Sequence, residues 1–236
     1  MRLAGIVTRE TLELVRSLVK PGVTTLDLEN AAEAHILSRG AKAAFKGYHG
    51  FPCVLCTSVN GEVVHGIPSA KRVLQQGDIV SVDCGAIVQG YVGDAAITVP
   101  VGEIDPQTAQ LLDVTEKSLY AAIAVVKPGA TLGDVGAAVQ GVVEAAGFSV
   151  VRDFVGHGIG SKMHEDPQVP NFGQAGRGMK LRAGMVIAIE PMVNVGKPDV
   201  QVLSDGWTAI TADGSMSAHF EHTVAVTATG ARILTE

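Results

Sequence analysis

A repeat of constant spacing constrains this chain more than any other feature. Val19-Lys20-Pro21-Gly22 returns as Val126-Lys127-Pro128-Gly129, 107 positions later. The same offset carries Thr24 onto Thr131, Asp27 onto Asp134, Ala31 onto Ala138 and Gly40 onto Gly147. Each segment predicts a helix that stops at Pro-Gly, a Thr-x-x-Asp start of capping-box type, and a second helix closed by glycine. Leu12, Val15 and Val19, and later Leu119, Ile123 and Val126, supply the apolar stripes of the helices before each Pro-Gly. Asp105-Pro106 gives the later of them an N-cap and a first-turn proline. Farther on, the run Gly77-Asp78-Ile79-Val80-Ser81-Val82-Asp83 lies over Gly184-Met185-Val186-Ile187-Ala188-Ile189-Glu190. Both read as strands, and both end in a carboxylate. Helix–turn–helix sequences drift toward similar patterns, but two separated matches sharing one offset make chance the poorer explanation. The chain therefore reads as two α+β halves, about 1–105 and 106–236, related by a pseudo-twofold duplication within a single catalytic domain spanning 1–236. Each half delivers an acid to a shared centre.

Those acids stand in apolar strands, where an unpartnered carboxylate costs several kcal/mol. Tyr91–Val99 forms a second strand after a turn at Gln89-Gly90. With the turn centred there, opposed residues have indices summing to 179, whereas Asp83 and Asp94 sum to 177. The even difference puts both on one face as diagonal neighbours. They repel unless a proton or a cation lies between them. In the second half Glu190 ends one strand and Glu221 opens another, His222–Thr227. Between them, Trp207–Thr211 and the turn Ala212–Ser215 read as strand plus turn leading into the strand of Glu221. Four carboxylates, two per half, invite a dinuclear centre of divalent ions such as manganese, iron or cobalt, with bridging carboxylates. The competing reading pairs one or two of them with structural cations, and few lysines or arginines lie nearby in sequence.

The seven histidines divide unevenly. His35 in a helix and His222 beside a strand acid read as packing or surface residues, and His219 has no assignment. His157 stands in Gly156-His157-Gly158, where flanking glycines permit close backbone approach and predict an accessible imidazole. His164 follows seven residues later, and His65 sits where Val63-Val64 runs into a turn. Cys53-Val54-Leu55-Cys56 lacks the second ligand pair or the βα context that a zinc or redox reading needs. Phe45, Tyr48 and Phe51 cluster among glycines beside His49, either as core or as the wall of an apolar pocket.

Composition narrows the classes that remain. A chain of 236 residues with 47% hydrophobic and 18% charged residues is not a disordered one. No apolar run approaches the ~18 residues of a membrane span, and Met1–Arg9 lacks a secretory signal. A formal charge of −6 without a basic cluster argues against a nucleic-acid partner. Three cysteines, an odd count, fit a reducing, cytoplasmic setting without a disulfide framework.

Six motifs then appear in order: Gly47-Tyr48-His49-Gly50-Phe51-Pro52, Val63-Val64-His65-Gly66-Ile67-Pro68, Val82-Asp83-Cys84-Gly85-Ala86, Gly156-His157-Gly158-Ile159-Gly160, Ala188-Ile189-Glu190-Pro191-Met192 and Phe220-Glu221-His222-Thr223. In these the chain closely resembles, nearly end to end, the type I methionine aminopeptidases. The resemblance implies the pita-bread fold, an α/β architecture of two pseudo-symmetric halves around a central antiparallel sheet. It implies five metal ligands, Asp83, Asp94, His157, Glu190 and Glu221, holding two divalent ions (Co, Mn, Fe, Zn or Ni). Asp94 and Glu221 would bridge them, Asp83 would chelate one, and His157 with Glu190 would complete the other. It further implies catalytic parts for His65, His164 and Glu190, and a methionine pocket of Tyr48, Phe51, Cys56, His65, Met163, His164 and Trp207.

From this follow the remaining expectations. A hydroxide bridging two ions attacks the carbonyl after the N-terminal methionine, Glu190 moves the proton, and His164 stabilises the oxyanion. The substrates are the N-terminal Met-peptides of nascent proteins with a small second residue, met by a monomer at or near the ribosome. Two departures from the family pattern stand out. The chain begins inside the family's usual first helix, and Met163 replaces an expected phenylalanine. The competing readings are an Xaa-Pro peptidase or prolidase, which usually carries an added N-terminal domain, and a metal-free binding module, which typically loses ligands.

Overall fold

The structure, a computed structural model, describes residues 1–236. In chain order it runs α1 (Arg2–Leu18), α2 (Thr25–Ser38), β1 (Lys42–Ala43), β2 (Leu55–Val59), β3 (Glu62–Val64), β4 (Ile79–Val88) and β5 (Tyr91–Pro100). Next come α3 (Pro106–Val125), α4 (Leu132–Ala145), β6 (Ser149–Val150), β7 (Gly156–Gly158), β8 (Glu165–Val169) and β9 (Val186–Ile189). The chain closes with β10 (Met192–Asn194), β11 (Val200–Val202), β12 (Ala209–Thr211), β13 (Ser217–His219), β14 (Glu221–Val226) and β15 (Ala231–Ile233). No helix is long and apolar enough to cross a membrane.

The duplication is written in the hydrogen bonds. Thr24 with Asp27, and Thr131 with Asp134, each form a complete capping box at the start of α2 and α4. The Gly22 N–H donates to the Leu74 carbonyl at 2.8 Å, and the Gly129 N–H donates to the Leu181 carbonyl at 2.9 Å. Isolated bridges Thr24–Val73 and Thr131–Lys180 repeat the spacing again. It fails beyond β9. The residue 107 positions after Asp94 is Gln201, exposed on β11, because β10 to β13 intervene before the second acid-bearing strand.

All the long pairings are antiparallel, and the main sheet runs β1-β4-β5-β14-β9-β7-β8, with β2 also on β4 and β15 also on β14. Alternation sorts its faces. Val80, Val82, Cys84, Ala86, Ala95 and Val99 pack with Leu12, Val15, Leu28 and Ile36 of α1 and α2. Ile187, Ile189, Val224 and Val226 pack with Leu111, Leu119, Val135 and Val139 of α3 and α4. The helices thus cover one face, which leaves the residues of opposite parity, Asp83, Asp94, Glu190 and Glu221, on the other.

One sequence expectation is corrected here. The strand over Trp207–Thr211 shortens to β12, and Trp207 lies before it in a turn, its N–H donating to Asp205 Oδ1 at 2.8 Å. The chain does not run straight from there into the strand of Glu221. β13 pairs with β10 in a separate small sheet, and a break at Phe220, whose N–H donates to the Pro191 carbonyl, divides it from β14.

Candidate metal centre and peptide pocket

Strand register builds the centre. The hairpin turn Gln89-Gly90 has positive φ at both residues (51° and 80°), the two-residue geometry whose twist matches the strands. It sets Asp83 opposite Ala96 and Asp94 opposite Gly85, the diagonal that the index arithmetic predicts. On the far side of β5, Glu221 also lies opposite Ala96. Glu190 follows β9 by one residue, and the β14–β9 register, His222 with Ile189, continues toward it from Glu221.

His157 enters from β7. A Cβ at Gly156 would lie 2.3 Å from the Ala188 carbonyl oxygen, and one at Gly158 2.2 Å from that of Asp166, so only glycine on each side lets the strand sit this close. The expectation of an accessible imidazole fails for the same reason: close approach buries the ring to 7% exposure. Its Nδ1–H donates to the Gly158 carbonyl at 2.9 Å, which turns Nε2 toward the acids. Nε2 lies 3.7 Å from Asp94 Oδ2 and 3.6 Å from Glu190 Oε1.

These five side chains line one cavity of about 110 Å³. No lysine or arginine lines it, so His157 is the one cationic side chain near these acids. The Asp83 Oδ1, Asp94 Oδ1 and Glu221 Oε1 oxygens are buried without a hydrogen-bond partner. Burial pushes Asp83, Asp94 and Glu221 above the usual carboxylate range, and repulsion among the acids adds to it at Asp83 and Glu221. Burial likewise lifts Glu190 to about 8, against the pull of His157. At His157 burial opposes the charge, yet Asp94 and Glu190 outweigh it and raise the imidazole to about 9. Crowded acids with orphaned oxygens and an imidazole nitrogen are what a divalent cation satisfies. One donor atom each from Asp94, His157 and Glu221 lie within 4.8 Å of one another, and these three could hold a metal ion.

A second cavity of about 200 Å³ adjoins the first through His65, Met163 and His164. Tyr48, Phe51, Cys56 and Trp207 also line it, with Phe45 and His49, so nine residues, among them all seven that the resemblance implies, meet in one largely apolar hollow. Phe51 stands edge-on to Trp207 at 5.1 Å between ring centroids. The aromatic cluster is both core and wall, since Phe45 and Phe51 are buried with Met163. The Tyr48 hydroxyl lies 2.8 Å from His164 Nδ1. Burial, then the neighbouring histidines, lowers His164 to about 4 and keeps it neutral. His65 is held at φ +61°, a strained backbone for a non-glycine residue. A third, open and polar basin of about 740 Å³ starts at Val155, His157 and His164. His164 lines all three spaces.

Sequence reading missed His219. It is 1% exposed, and its Nε2 has no hydrogen-bond partner and lies 3.9 Å from Glu190 Oε2. Its signal was parity with Glu221 two residues on, obscured by the break at Phe220. Asn171, whose Nδ2–H donates to the Glu190 carbonyl at 2.9 Å, carried no signal at all.

Residues 1–228 match metallopeptidase family M24. A methionine aminopeptidase of Clostridium acetobutylicum is 53% identical over 235 residues, covering 100% of this chain and 94% of that one. The crystal structure of a methionine aminopeptidase from Thermotoga maritima superposes with a TM-score of 0.99 at 50% identity, over 100% of this chain and 95% of that one. The prolidase from Pyrococcus horikoshii shares the fold alone, with a TM-score of 0.80 at 22% identity over 100% of this chain and 60% of that one. The curled antiparallel sheet with helices on one face is the pita-bread fold, and the chain belongs to metallopeptidase family M24 and, within it, to the methionine aminopeptidases.

Proposed function

We propose that this protein removes the initiator methionine from nascent polypeptides whose second residue is small, using two divalent ions (Co, Mn, Fe, Zn or Ni). The observation that carries this reading is the meeting of five donor side chains with a methionine-sized apolar hollow across a shared wall of His65, Met163 and His164. Asp94 and Glu221 would serve both ions, Asp83 would hold one, and His157 with Glu190 would hold the other. When bound, the ions would supply Lewis acidity, which makes water a nucleophile near neutral pH and polarises the scissile carbonyl. The hollow takes the methionine side chain and the polar basin takes the downstream chain. Glu190 would take the proton released by the attacking water and pass it to the leaving amine. Tyr48 donates to His164 Nδ1, so the Nε2–H is free to donate to the developing oxyanion. His65 bonds the substrate backbone. Phe154, Met192 and His219 also line the metal cavity, and a small second side chain is the one their bulk would admit. One chain supplies every part, so a monomer is sufficient, acting on chains that leave the ribosome in the cytoplasm.

The test is hydrolysis of Met-Ala-Ser beside Ala-Pro by demetallated protein given Mn, Fe, Co or Zn separately. Cleavage of Met-Ala-Ser alone, abolished in folded Asp94→Asn and Glu190→Gln, is the expected result. Cleavage of Ala-Pro instead, or full activity in either variant, overturns the proposal.

A further inference from the structure

The two halves of the sheet meet at β5 and β14, and this seam is unusually short. Only Glu221 with Ala96 and His222 with Ala95 are paired there. From Val224 onward the same strand pairs with β15 instead, beginning Val224 with Ile233. Thr223 stands at the fork. Its N–H donates to Thr235 Oγ1 at 3.2 Å, and its carbonyl accepts from the Leu234 N–H at 2.9 Å, so both of its main-chain groups serve the C-terminal strand. Continuing the register places Thr223 opposite Asp94, whose own main-chain groups would then face β14 without a partner. The Thr223 hydroxyl fills both vacancies. It accepts from the Asp94 N–H at 3.0 Å and donates to the Asp94 carbonyl at 2.7 Å, at a site with 0% exposure.

The other end of the seam has the same device with the strands exchanged. The Thr98 hydroxyl of β5 donates to the His219 carbonyl at 2.8 Å and accepts from the His219 N–H at 2.9 Å. Two buried threonines therefore bracket a two-pair ladder, each standing in for main chain. Only one of them clamps a residue whose carboxylate donor lies within 4.8 Å of those of His157 and Glu221.

We propose that Thr223 is a positioning residue for the metal centre: its hydroxyl fixes the backbone of Asp94 where the sheet forks, and so sets the place of that carboxylate between the two halves. The proposal rests on reading Asp94 as a metal ligand. A valine here keeps the shape and the β-branched strand preference but leaves a buried N–H and a buried carbonyl unsatisfied. Asp94 must shift or admit water to recover them, and loss of such a supporting contact typically weakens metal binding about 10–100-fold.

The experiment titrates Co²⁺ into demetallated full-length protein by calorimetry, with the visible spectrum of the bound ion as a second readout. Thr223→Val is expected to bind at least about tenfold more weakly with an altered spectrum, Thr223→Cys to fall between, and Thr223→Ser to stay within about threefold of wild type. Thr98→Val is the matched control. It breaks the equivalent clamp on His219, which lies beside Glu190 but is not itself one of the five proposed donors. It lowers Tm and is expected to cost clearly less Co²⁺ affinity than Thr223→Val does. If Thr223→Val does not fold, Thr223→Cys against Thr98→Val carries the comparison. Wild-type affinity in both the Val and Cys variants, or an equal loss in Thr98→Val, overturns the inference while leaving the metal site standing. Failure of wild-type protein to bind Co²⁺ overturns both.

Discussion

Asp83 and Glu221 face each other across one small residue: Ala96 on β5 lies opposite Asp83 on one side and opposite Glu221 on the other. Cross-strand partners share a face, so the alanine Cβ lies on the floor between the two carboxylates. Ala96 is 1% exposed. The seam between halves thus sets the separation of acids that come from different halves.

Enlarging that floor residue should disturb the centre without touching a ligand. Ala96→Val adds two carbons to a packed site, which costs about 1–3 kcal/mol and spreads the flanking carboxylates. Affinity for Mn²⁺, measured by calorimetry on demetallated protein, is expected to fall at least about tenfold, or ~1.4 kcal/mol. Ala96→Gly should bind within a few-fold of wild type. Equal affinity in Ala96→Val would show that the floor does not set the acid spacing.

In metal-free protein the centre makes stability fall with rising pH. Glu190, lifted by burial from 4.5 to about 8, and His157, lifted from 6.5 to about 9 by Asp94 and Glu190 against the effect of its burial, both bind protons more tightly when folded. Their contribution is therefore present at low pH and is lost as pH rises through the folded values. Burial lowers His164, His219 and His222 to about 4, 3 and 4. These act in the opposite sense, but only below 6.5, where the unfolded imidazoles begin to take protons. Between pH 6.5 and 9 they are neutral in both states. Scanning calorimetry in a chelator should show Tm decreasing across that window, and saturating Mn²⁺ should raise and flatten the curve because the cation replaces the protons. A Tm that climbs from pH 6.5 to 9 without metal would contradict the electrostatics drawn here.

The legible parts of this site are those fixed by local rules. A two-residue turn dictates the register of β4 and β5, so index arithmetic alone puts Asp83 and Asp94 on one face. The helix pairs follow from capping boxes whose partners lie three residues apart. His219 was illegible because Phe220 interrupts the alternation that would have tied it to Glu221. Thr223 was illegible because a hydroxyl replacing main chain leaves no trace in periodicity. The pocket draws on segments around positions 48, 65, 163 and 207, and no spacing rule joins them. Only the resemblance to a family brought them together.

Met163, where the family resemblance leads one to expect phenylalanine, sits in the wall shared by the pocket and the metal cavity, 7% exposed among Phe45, Phe51 and Cys56. An unbranched thioether adapts to its neighbours, so restoring phenylalanine should repack the wall and leave the hollow usable. Met163→Phe is expected to change KM for Met-Ala-Ser by at most a few-fold, with kcat little altered. A change well beyond that in steady-state kinetics would mean that this wall, and not the aromatic side of the pocket, sets methionine recognition.

The glycine after His157 provides the sharpest test of how the imidazole is aimed. The Gly158 backbone carries the carbonyl that accepts from Nδ1–H, and it also runs so close to β8 that an added Cβ would lie 2.2 Å from the Asp166 carbonyl oxygen and 2.9 Å from that of Glu165. Both obstacles are main chain, which cannot swing aside as a flexible side chain can. Gly158→Ala must push β7 away from β8 and carry His157 with it, at a cost of about 2–4 kcal/mol in stability. Gly141 on α4 is the contrasting position, because a Cβ added there would meet nothing within 4 Å. Gly141→Ala should therefore raise stability by about 0.5–1 kcal/mol through helix propensity. Combining the two separates stability from aim. If Gly141→Ala returns its own about 0.5–1 kcal/mol to Gly158→Ala but Mn²⁺ affinity does not move with it, the glycine acts through the direction of the His157 ring. If affinity recovers along with Tm, close approach of β7 serves the sheet alone.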